Sequence, residues 1–351
     1  MSNDESWSIK RAFNWTRDYL TKKGDEQARL STEWLLADAC GLSRLEVYTQ
    51  FDKPLSVEER NKLRESVRRR AAGEPLQYIT GTVGFRHLDV GVRPGVLIPR
   101  PETEVLVDLA LKALPSPQEG VTLQVLDLCT GSGCVGLSIA DERPDVQVLA
   151  TDICPKAVSL ANENAQTCNL HERFTAIEAD LFDACSPNKE LGSETDCSCH
   201  GEGKAEPEYR GSSARSAIAE HRGSLNIRYE DCAEHPYIQL STNSQFDLIV
   251  SNPPYIPTIE MDTLPQEVAD FEPALALHGG EDGLDIVKRI LEAAPRYLKK
   301  SSHLILELDV RNAHAAADFA VSLNTYNSVE IARDLTGRER FVFAKLETCV
   351  S

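Results

Sequence analysis

The stretch Asn252-Pro253-Pro254-Tyr255 is the segment whose residue types and spacing most clearly suggest chemistry. It follows FDLIV, an apolar run that is typical of a buried strand. A proline has no N–H to donate to a sheet ladder, so two in a row predict that the strand stops at Asn252. The rigid turn would then present two fixed hydrogen-bond acceptors, the side-chain oxygen of Asn252 and the carbonyl of Pro253, beside the flat ring of Tyr255.

This set of groups fits a planar NH2 group, whose nitrogen lone pair is delocalised and therefore a poor nucleophile. Acceptors for both N–H groups would hold the nitrogen and let positive charge build on it as it attacks. We predict Asn252, Pro253 and Tyr255 as catalytic residues and the whole stretch, including Pro254, as a substrate-binding turn. No general base is required, because the nitrogen becomes acidic once it has gained its new substituent. A plain turn after a strand is the alternative interpretation.

A glycine-rich loop lies upstream, in DLCTGSGCVG (127–136), between a predicted strand and a predicted helix. Gly131, Gly133 and Gly136 match G-x-G-x-x-G, which permits a tight turn, close approach of a ligand and tight helix packing. The motif alone is a weak signal, and a glycine turn needed only for packing is the alternative. Asp152 ends the second strand, 19 residues after Gly133, where a carboxylate can accept hydrogen bonds from both hydroxyls of a ribose.

Asp180 ends a third predicted strand and precedes Leu181 and Phe182. A carboxylate beside apolar side chains suits the exocyclic amine and the faces of an adenine, although Asp180 alone could equally serve as a capping or turn residue. Together, three neighbouring strand ends carry groups for an adenosine, and open α/β sheets bind their ligands in that crevice.

Two cofactors contain such an adenosine. A nicotinamide dinucleotide would use the glycines for its pyrophosphate, whereas S-adenosylmethionine has no phosphate and needs room for its methionine and sulfonium. A dehydrogenase also needs a hydride site and usually an acid or base, and the Asn-Pro-Pro-Tyr turn offers neither. The turn therefore favours S-adenosylmethionine.

Strands and helices alternate from residue 121 onward, a pattern that indicates a parallel sheet with helices on both faces. Two closing strands are joined by only a short turn and must therefore be antiparallel. We predict a doubly wound, mostly parallel α/β sheet of seven strands, in a catalytic domain over residues 96–351.

The first part of the chain has the pattern of helices. Apolar residues recur at helical spacing, and Ser56-Val-Glu-Glu59 is a capping box. We predict a small helical domain over residues 1–75. Tyr, Ile, Val and Phe interleaved with glycines then predict a linking β-hairpin over residues 76–95.

Residues 184–245 are rich in Ser, Gly, Glu and Cys and show little periodicity, so we predict a disordered insertion on the surface. A metal site is the alternative. However, the C-x-C-H at 197–200 lacks the paired C-x2-C spacing of zinc modules, and we predict no metal. The candidate ligands would be Cys185, Cys197, Cys199, His200, Cys232 and His235.

The formal net charge is −18 and the pI about 4.9, which argues against a general nucleic-acid binder. The charge is uneven: residues 1–80 carry 14 Lys and Arg against 13 Asp and Glu, and the remainder carries 23 against 42. The N-terminus lacks the apolar region of a secretory signal, and no apolar run approaches the ~20 residues of a membrane span. We therefore predict a cytoplasmic protein that binds neither nucleic acid directly nor a membrane.

With LDLCTGSG, ATD, AD-L-F and SNPPY in that order, the chain resembles the class I S-adenosylmethionine-dependent methyltransferases that act on amino groups. It is most similar to the peptide chain release factor N5-glutamine methyltransferases. LIPRPETEVLV (97–107), FEPALALHGGEDGLDIVKRIL (271–291) and RDLTGRERFVFAKL (333–346) also resemble that family. The resemblance covers nearly the whole chain except residues 184–245.

The resemblance implies a class I methyltransferase fold with N-terminal helices that grip a protein substrate. That substrate would be the glutamine of the Gly-Gly-Gln loop in class I peptide chain release factors, with its amide held by Asn252 and Pro253 and packed against Tyr255. The implied cofactor is S-adenosylmethionine. Together with the acids deduced above, its binding residues would be Cys129, Thr130, Gly131, Ser132, Gly133, Asp152, Asp180, Leu181 and Asn252.

Three alternatives remain open at the level of sequence. A nucleic-acid methyltransferase acting on adenine N6 would also place an NH2 group beside such a turn, although the acidic pI and the lack of a basic target-recognition domain count against it. A nicotinamide-dependent oxidoreductase and a non-catalytic interaction protein are the other two.

Overall fold

The computed structural model describes residues 7–185 and 245–346. The predicted insertion at 184–245 therefore lies outside the described residues except at its two ends, and so do all its candidate metal ligands apart from Cys185. Across the described ranges, no group of three or more His, Cys, Asp or Glu side chains is placed to hold a metal ion. Within the same ranges, no helix combines the length and apolar character needed to cross a membrane.

Five helices form the N-terminal part of the described chain and enclose an apolar core of their own. Ser8, Ser43 and Ser56 each accept a hydrogen bond from a first-turn N–H, and the last two do so in capping boxes, as predicted for Ser56. The helices are α1 (Ile9–Lys22), α2 (Ala28–Cys40), α3 (Arg44–Thr49), α4 (Val57–Ala71) and α5 (Leu76–Thr80).

A β-hairpin follows these helices, formed by β1 (Thr82–Phe85) and β2 (Leu88–Gly91). The predicted range of 76–95 is too long for it. Residues 76–80 are helical instead, and the helix ends at Gly81, whose φ of 78° is left-handed and suits a residue without a Cβ.

Contacts at Gly91 and Arg70 are among those that connect this N-terminal part to the remainder of the chain. The N–H of Gly91 donates to Oδ1 of Asn164 at 2.9 Å, and the Gly91 carbonyl accepts from Nδ2 of the same residue at 3.1 Å. Arg70 is largely buried and donates both to the carboxylate of Asp25, within the helical part, and to that of Glu267 at 3.2 Å. The helical part is thereby held against a segment that lies 197 residues later in the sequence.

The remaining strands form the central sheet. They are β3 (Leu123–Leu128), β4 (Val146–Asp152), β5 (Phe174–Glu178), β6 (Phe246–Ser251), β7 (Leu298–Glu307), β8 (Tyr326–Arg333) and β9 (Glu339–Leu346). Their order is β5-β4-β3-β6-β7-β9-β8. Within the described chain, β9 is antiparallel to both β7 and β8, and the other neighbouring pairs are parallel. This confirms the predicted seven-stranded, mostly parallel α/β sheet.

Helices cover both faces of the sheet. They are α6 (Thr103–Ala113), α7 (Cys134–Glu142), α8 (Pro155–Thr167), α10 (Asp285–Ala293) and α11 (Val310–Ser322). A short helix, α9 (Gln266–Phe271), lies outside these layers and packs Phe271 against a small separate apolar cluster. One apolar cluster joins α6, α7 and α8 to the sheet, and a second joins α10 and α11 to the opposite face. Each fully buried Leu, Ile, Val or Phe of these clusters contributes about 1.5–3 kcal/mol relative to an exposed position.

The strand register brings the predicted site residues together. Leu128, the last residue of β3, pairs with Thr151 on one side and with Ser251 on the other. The residues that follow these positions, among them Asp152 and Asn252, therefore emerge at the same edge of the sheet. This is the edge at which parallel α/β sheets bind their ligands.

Candidate active site

A crevice opens at the carboxyl ends of β3, β4 and β6. The sequence-predicted residues that line it are Cys129, Thr130, Gly131, Ser132, Asp152, Asp180, Leu181, Asn252 and Pro254. Gly133, Pro253 and Tyr255 lie adjacent in the chain but not in the lining itself. Of these three, Pro253 is buried and Tyr255 packs, partly buried, against the apolar cluster of α10 and α11.

The glycine loop has the backbone that its sequence predicts. Gly131 and Gly133 have φ values of 57° and 84°, in the left-handed region that favours glycine. A Cβ on Gly136 would lie 2.8 Å from the ring of Phe174, so this glycine lets α7 pack on the sheet. A Cβ on Gly131 would lie no closer than 3.9 Å to Val96, so space remains beside its backbone in the crevice.

Two aspartates hold this loop in place. Asp127 is 1% exposed, and its Oδ2 accepts from the hydroxyl of Thr130 at 2.6 Å and from the N–H of Gly136 at 3.1 Å. Burial raises the pKa of Asp127 to about 7, although both hydrogen bonds oppose the shift. Asp152 accepts from the N–H of Gly131 and from that of Cys154, both at 2.9 Å. Burial raises the pKa of Asp152 too, against these backbone donors.

Asp180 has a partner that the sequence did not reveal. Its carboxylate accepts from the guanidinium of Arg289 at 2.8 Å, and the two side chains are 35% and 49% exposed. Pairs this exposed typically contribute no more than about 1 kcal/mol. Next to it, Leu181 has a left-handed φ of 52°, and its carbonyl accepts from the hydroxyl of Thr151 at 3.0 Å.

Two glycines, Gly279 and Gly283, pack closely against the backbone of the Asn-Pro-Pro-Tyr turn. A Cβ on Gly279 would lie 2.7 Å from Cα of Tyr255 and 2.8 Å from the carbonyl oxygen of Pro254, closer than real Cβ contacts allow. A Cβ on Gly283 would collide with the carbonyl oxygen of Tyr255, which accepts a hydrogen bond from Nδ2 of Asn312 at 2.9 Å. Burial raises the pKa of the Tyr255 phenol to about 12, so it stays neutral.

Among the described residues, the side chain of Asn252 has one hydrogen-bond partner. Its Nδ2 donates to the hydroxyl of Thr103, the first residue of α6, at 3.2 Å. That hydroxyl in turn donates to Oε1 of Glu307, the last residue of β7, at 3.2 Å. One N–H of the Asn252 amide is therefore engaged, and its oxygen can accept hydrogen bonds from a ligand in the crevice that Asn252 lines.

The local sequence around Thr103 and Glu307 indicates no role for either residue. Thr103 is the first residue of α6. A signal for Glu307 does exist, because an acidic residue interrupts the otherwise apolar run LILEL at 304–308. Neither position could be tied to Asn252 without knowing that α6 crosses the ends of β6 and β7.

Two sequence families match this chain. The PrmC N-terminal domain matches residues 11–81, and the methyltransferase small domain matches residues 103–190. Curated relatives match over almost the full length. One from Geobacter sulfurreducens, named release factor glutamine methyltransferase, is 37% identical and covers 97% of this chain and 98% of its own.

Two further relatives agree with this match. A release factor glutamine methyltransferase of Rhodopirellula baltica is 34% identical, with 97% of each chain covered. The human MTRF1L release factor glutamine methyltransferase is 31% identical, with 96% of this chain and 87% of its own covered. These relatives confirm the resemblance that the ordered motifs indicated. The chain belongs to the release factor glutamine methyltransferase family.

Proposed function

We propose that this protein transfers the methyl group of S-adenosylmethionine to the side-chain amide nitrogen of a glutamine, in the Gly-Gly-Gln motif of class I peptide chain release factors. The observation that carries the proposal is the orientation of Asn252. Its nitrogen donates to Thr103, so its oxygen is available to a ligand in the crevice that Asn252 lines. An oxygen suits the N–H groups of a glutamine amide, as the names of the relatives lead us to expect.

The crevice suits S-adenosylmethionine better than a dinucleotide. Its described lining includes two arginines, Arg100 and Arg289, and each of them is paired with a carboxylate. The N–H of Gly131 is also engaged, since it donates to Asp152. A pyrophosphate would thus find few free donors, whereas a ribose and a sulfonium need carboxylates and apolar contacts.

We assign the cofactor-binding roles accordingly. Asp152 would accept from the ribose hydroxyls, and the loop from Cys129 to Gly133 would pass beside the cofactor. Leu181 would contact the adenine. Asp180 would bind the adenine amine once its ion pair with Arg289 has opened or shifted. Asn252 borders both the cofactor side and the substrate side of the crevice.

The bound cofactor supplies a methyl group on a positively charged sulfur. The protein's part is to hold the nucleophile. Asn252 Oδ1 and the carbonyl of Pro253 accept from the two N–H groups of the substrate amide, and Tyr255 and Pro254 confine its plane. Because Gly279 and Gly283 pack closely against the backbone of the turn, the acceptors are preorganised and need not rearrange as charge develops.

We further propose that residues 1–75 recognise the protein substrate, that residues 76–95 link this domain to the remainder, and that residues 96–351 carry the chemistry. Exposed apolar side chains in this last part include Ile259, which is 82% exposed, and Leu275, which is 45% exposed. Leu275 lines the crevice. Because exposed apolar surface often marks a site of protein contact, we assign this side chain to contact with the protein substrate. We place the activity in the cytoplasm, where translation occurs.

A direct test incubates the protein with isotope-labelled S-adenosylmethionine and a purified class I release factor, and then maps the label by mass spectrometry. We expect one methyl group on the glutamine of Gly-Gly-Gln and none on a factor that carries Gly-Gly-Asn. Absence of label from the factor, or label in added RNA or DNA, would overturn the proposal. The relatives do not favour the adenine N6 alternative.

A further inference from the structure

Glu307 is a buried carboxylate that the proposed function does not yet use. It is 1% exposed at the end of β7, and one of its oxygens accepts from Thr103 at 3.2 Å. Its other oxygen, Oε2, is buried and has no hydrogen-bond partner within the described residues. A buried carboxylate with an unsatisfied oxygen is costly, so its retention beside the site calls for a reason.

The reason lies in the number of protons on the Thr103 hydroxyl. A hydroxyl has one proton to donate and can also accept. An ionised Glu307 can only accept, so it takes that proton. The Thr103 oxygen must then accept from Asn252, and only the amide nitrogen of Asn252 can donate. The charge on Glu307 therefore decides which atom of Asn252 faces the substrate.

The opposite arrangement would be unproductive. A protonated Glu307 can donate to the Thr103 oxygen, which frees the Thr103 proton for Oδ1 of Asn252. The Asn252 amide would then turn over and present its NH2 group to the crevice. Two NH2 groups would face each other there, and no acceptor would be left on Asn252 for the substrate.

We propose that Glu307 is a positioning residue for methyl transfer, which acts through Thr103 to keep the oxygen of Asn252 facing the substrate amide. This inference rests on the proposed function. It adds a specificity rule: the ionised relay selects an amide, and its disruption lets the site accept a carboxylate of the same shape.

The surroundings of Glu307 place its titration near neutrality. Burial raises the pKa of Glu307 to about 7, and Glu102 before α6 acts in the same direction. Arg340 on β9 and the hydrogen bond from Thr103 oppose them. Tyr255 and Cys134 are the other titratable groups that interact with this carboxylate, and both are held neutral by raised pKa values. Glu307 would thus become protonated as the pH falls below about 7, and the hydrogen bonds that link it through Thr103 to Asn252 could then reverse their direction.

The test compares Glu307→Gln and Thr103→Val with the parent protein, using the full chain. A glutamine can donate from its NH2 group to Thr103, and a valine has no hydroxyl. We expect kcat for the release factor to fall roughly 10- to 100-fold in each, with little change in the affinity for S-adenosylmethionine measured by calorimetry. The double variant should lose little more than either single one, because both changes break the same relay.

A second readout needs no turnover. Parent protein should bind a Gly-Gly-Gln peptide more tightly than a Gly-Gly-Glu peptide, and in Glu307→Gln this preference should shrink about tenfold. Thr103→Ser, which keeps the hydroxyl, should recover most of what Thr103→Val loses. The acidic limb of the kcat profile near pH 7 should disappear in Glu307→Gln and persist in Glu330→Gln, the same change at an exposed position of β8.

Parental kcat, peptide preference and pH profile in Glu307→Gln and Thr103→Val would overturn the inference. Lower thermal stability with unchanged peptide preference would also overturn it, since that outcome marks a structural role alone. If Glu307→Gln does not fold, Thr103→Val decides the matter. A parent protein that leaves the release factor unmethylated would instead contradict the proposed function, so the two failures are distinguishable.

Discussion

The hydroxyl of Thr103 lies 3.2 Å from Nδ2 of Asn252, although 149 residues separate them in sequence. This contact orients the side chain of Asn252 in the Asn-Pro-Pro-Tyr turn, because it engages the amide nitrogen and leaves the oxygen for a ligand. The prolines make the Asn-Pro-Pro-Tyr turn rigid, and the first residue of α6 orients the amide of Asn252.

Asn252→Ala removes the acceptor and should abolish methyl transfer while leaving the cofactor in place. We expect kcat to fall at least about 100-fold, the scale seen when one preorganised group of a transition-state site is lost. The Kd for S-adenosylmethionine, measured by calorimetry, should change less than about threefold. Near-parental turnover in this variant would show that Asn252 does not hold the nucleophile.

Asp152→Ala should show the reverse pattern. The variant loses the carboxylate that we assign to the ribose, and it also releases the N–H groups of Gly131 and Cys154. We expect the cofactor Kd to rise at least about tenfold, which corresponds to about 1.4 kcal/mol, and kcat at saturating cofactor to change less. An unchanged Kd would remove Asp152 from the cofactor site.

Gly279→Ala should damage catalysis by pushing the turn upward. The added Cβ would meet Cα of Tyr255 and the carbonyl of Pro254, and overpacking of this kind costs about 1–3 kcal/mol. We expect a lower midpoint of urea unfolding and a loss of kcat of roughly tenfold. Gly84→Ala is the matched control, since the nearest atom to its new Cβ is 4.0 Å away. Equal effects at both positions would contradict the steric argument.

Stability and activity should respond to pH with opposite signs. The folded-state pKa values of Asp127 and Glu307 are about 7, against ordinary values of 3.8 and 4.5. Between those limits the folded state binds more protons than the unfolded state, so the free energy of unfolding rises as the pH falls through 7, by up to about 1.4 kcal/mol per pH unit for each group. Activity should decline over the same interval as Glu307 is protonated.

This opposition can be measured by urea unfolding and by turnover at pH 6 and pH 8. Glu307→Gln removes one of the two carboxyl groups, so the dependence of its stability on pH should be weaker than that of the parent. A parent protein whose stability and activity both fall between pH 8 and pH 6 would disagree with the burial of these groups.

The uneven charge predicts a salt effect on encounter. Residues beyond 80 carry 23 Lys and Arg against 42 Asp and Glu. A release-factor loop that works against ribosomal RNA should have basic surroundings, so the acidic part would steer it. We expect kcat/KM for a whole release factor to fall as salt is raised from 50 to about 300 mM, and kcat/KM for a short neutral peptide to stay nearly constant. A flat profile for the whole factor would exclude steering.

Local patterns predicted much of this fold. Apolar runs, glycines and prolines within about ten residues are enough to recognise the strands, the glycine loop and the turn after β6. The helix at Val310–Ser322 escaped prediction, because its alanines form helices well but give a weak apolar pattern. Trp34 fits the helical spacing of α2 yet is 41% exposed, beside the guanidinium of Arg44.

The candidate site was predictable where it follows strand ends and not where it depends on contacts across the fold. Asp152 and Asn252 could be placed because strand register is implied by alternation. The Asn252–Thr103–Glu307 relay joins three distant segments, and the pairing of Asp180 with Arg289 joins two. Such contacts depend on helix crossing positions, which no local pattern encodes.

The buried guanidinium of Arg70 has a consequence for how substrates are chosen. It joins the helical part to Glu267, and α9, which carries Glu267, leads after a few residues into the Leu275 wall of the crevice. If the N-terminal helices bind the protein substrate as proposed, the ion pair between Arg70 and Glu267 fixes the distance between their binding surface and the reacting amide. The enzyme would then methylate only a glutamine that lies at a fixed distance from the surface by which the substrate docks. A glutamine at another distance would not reach the site.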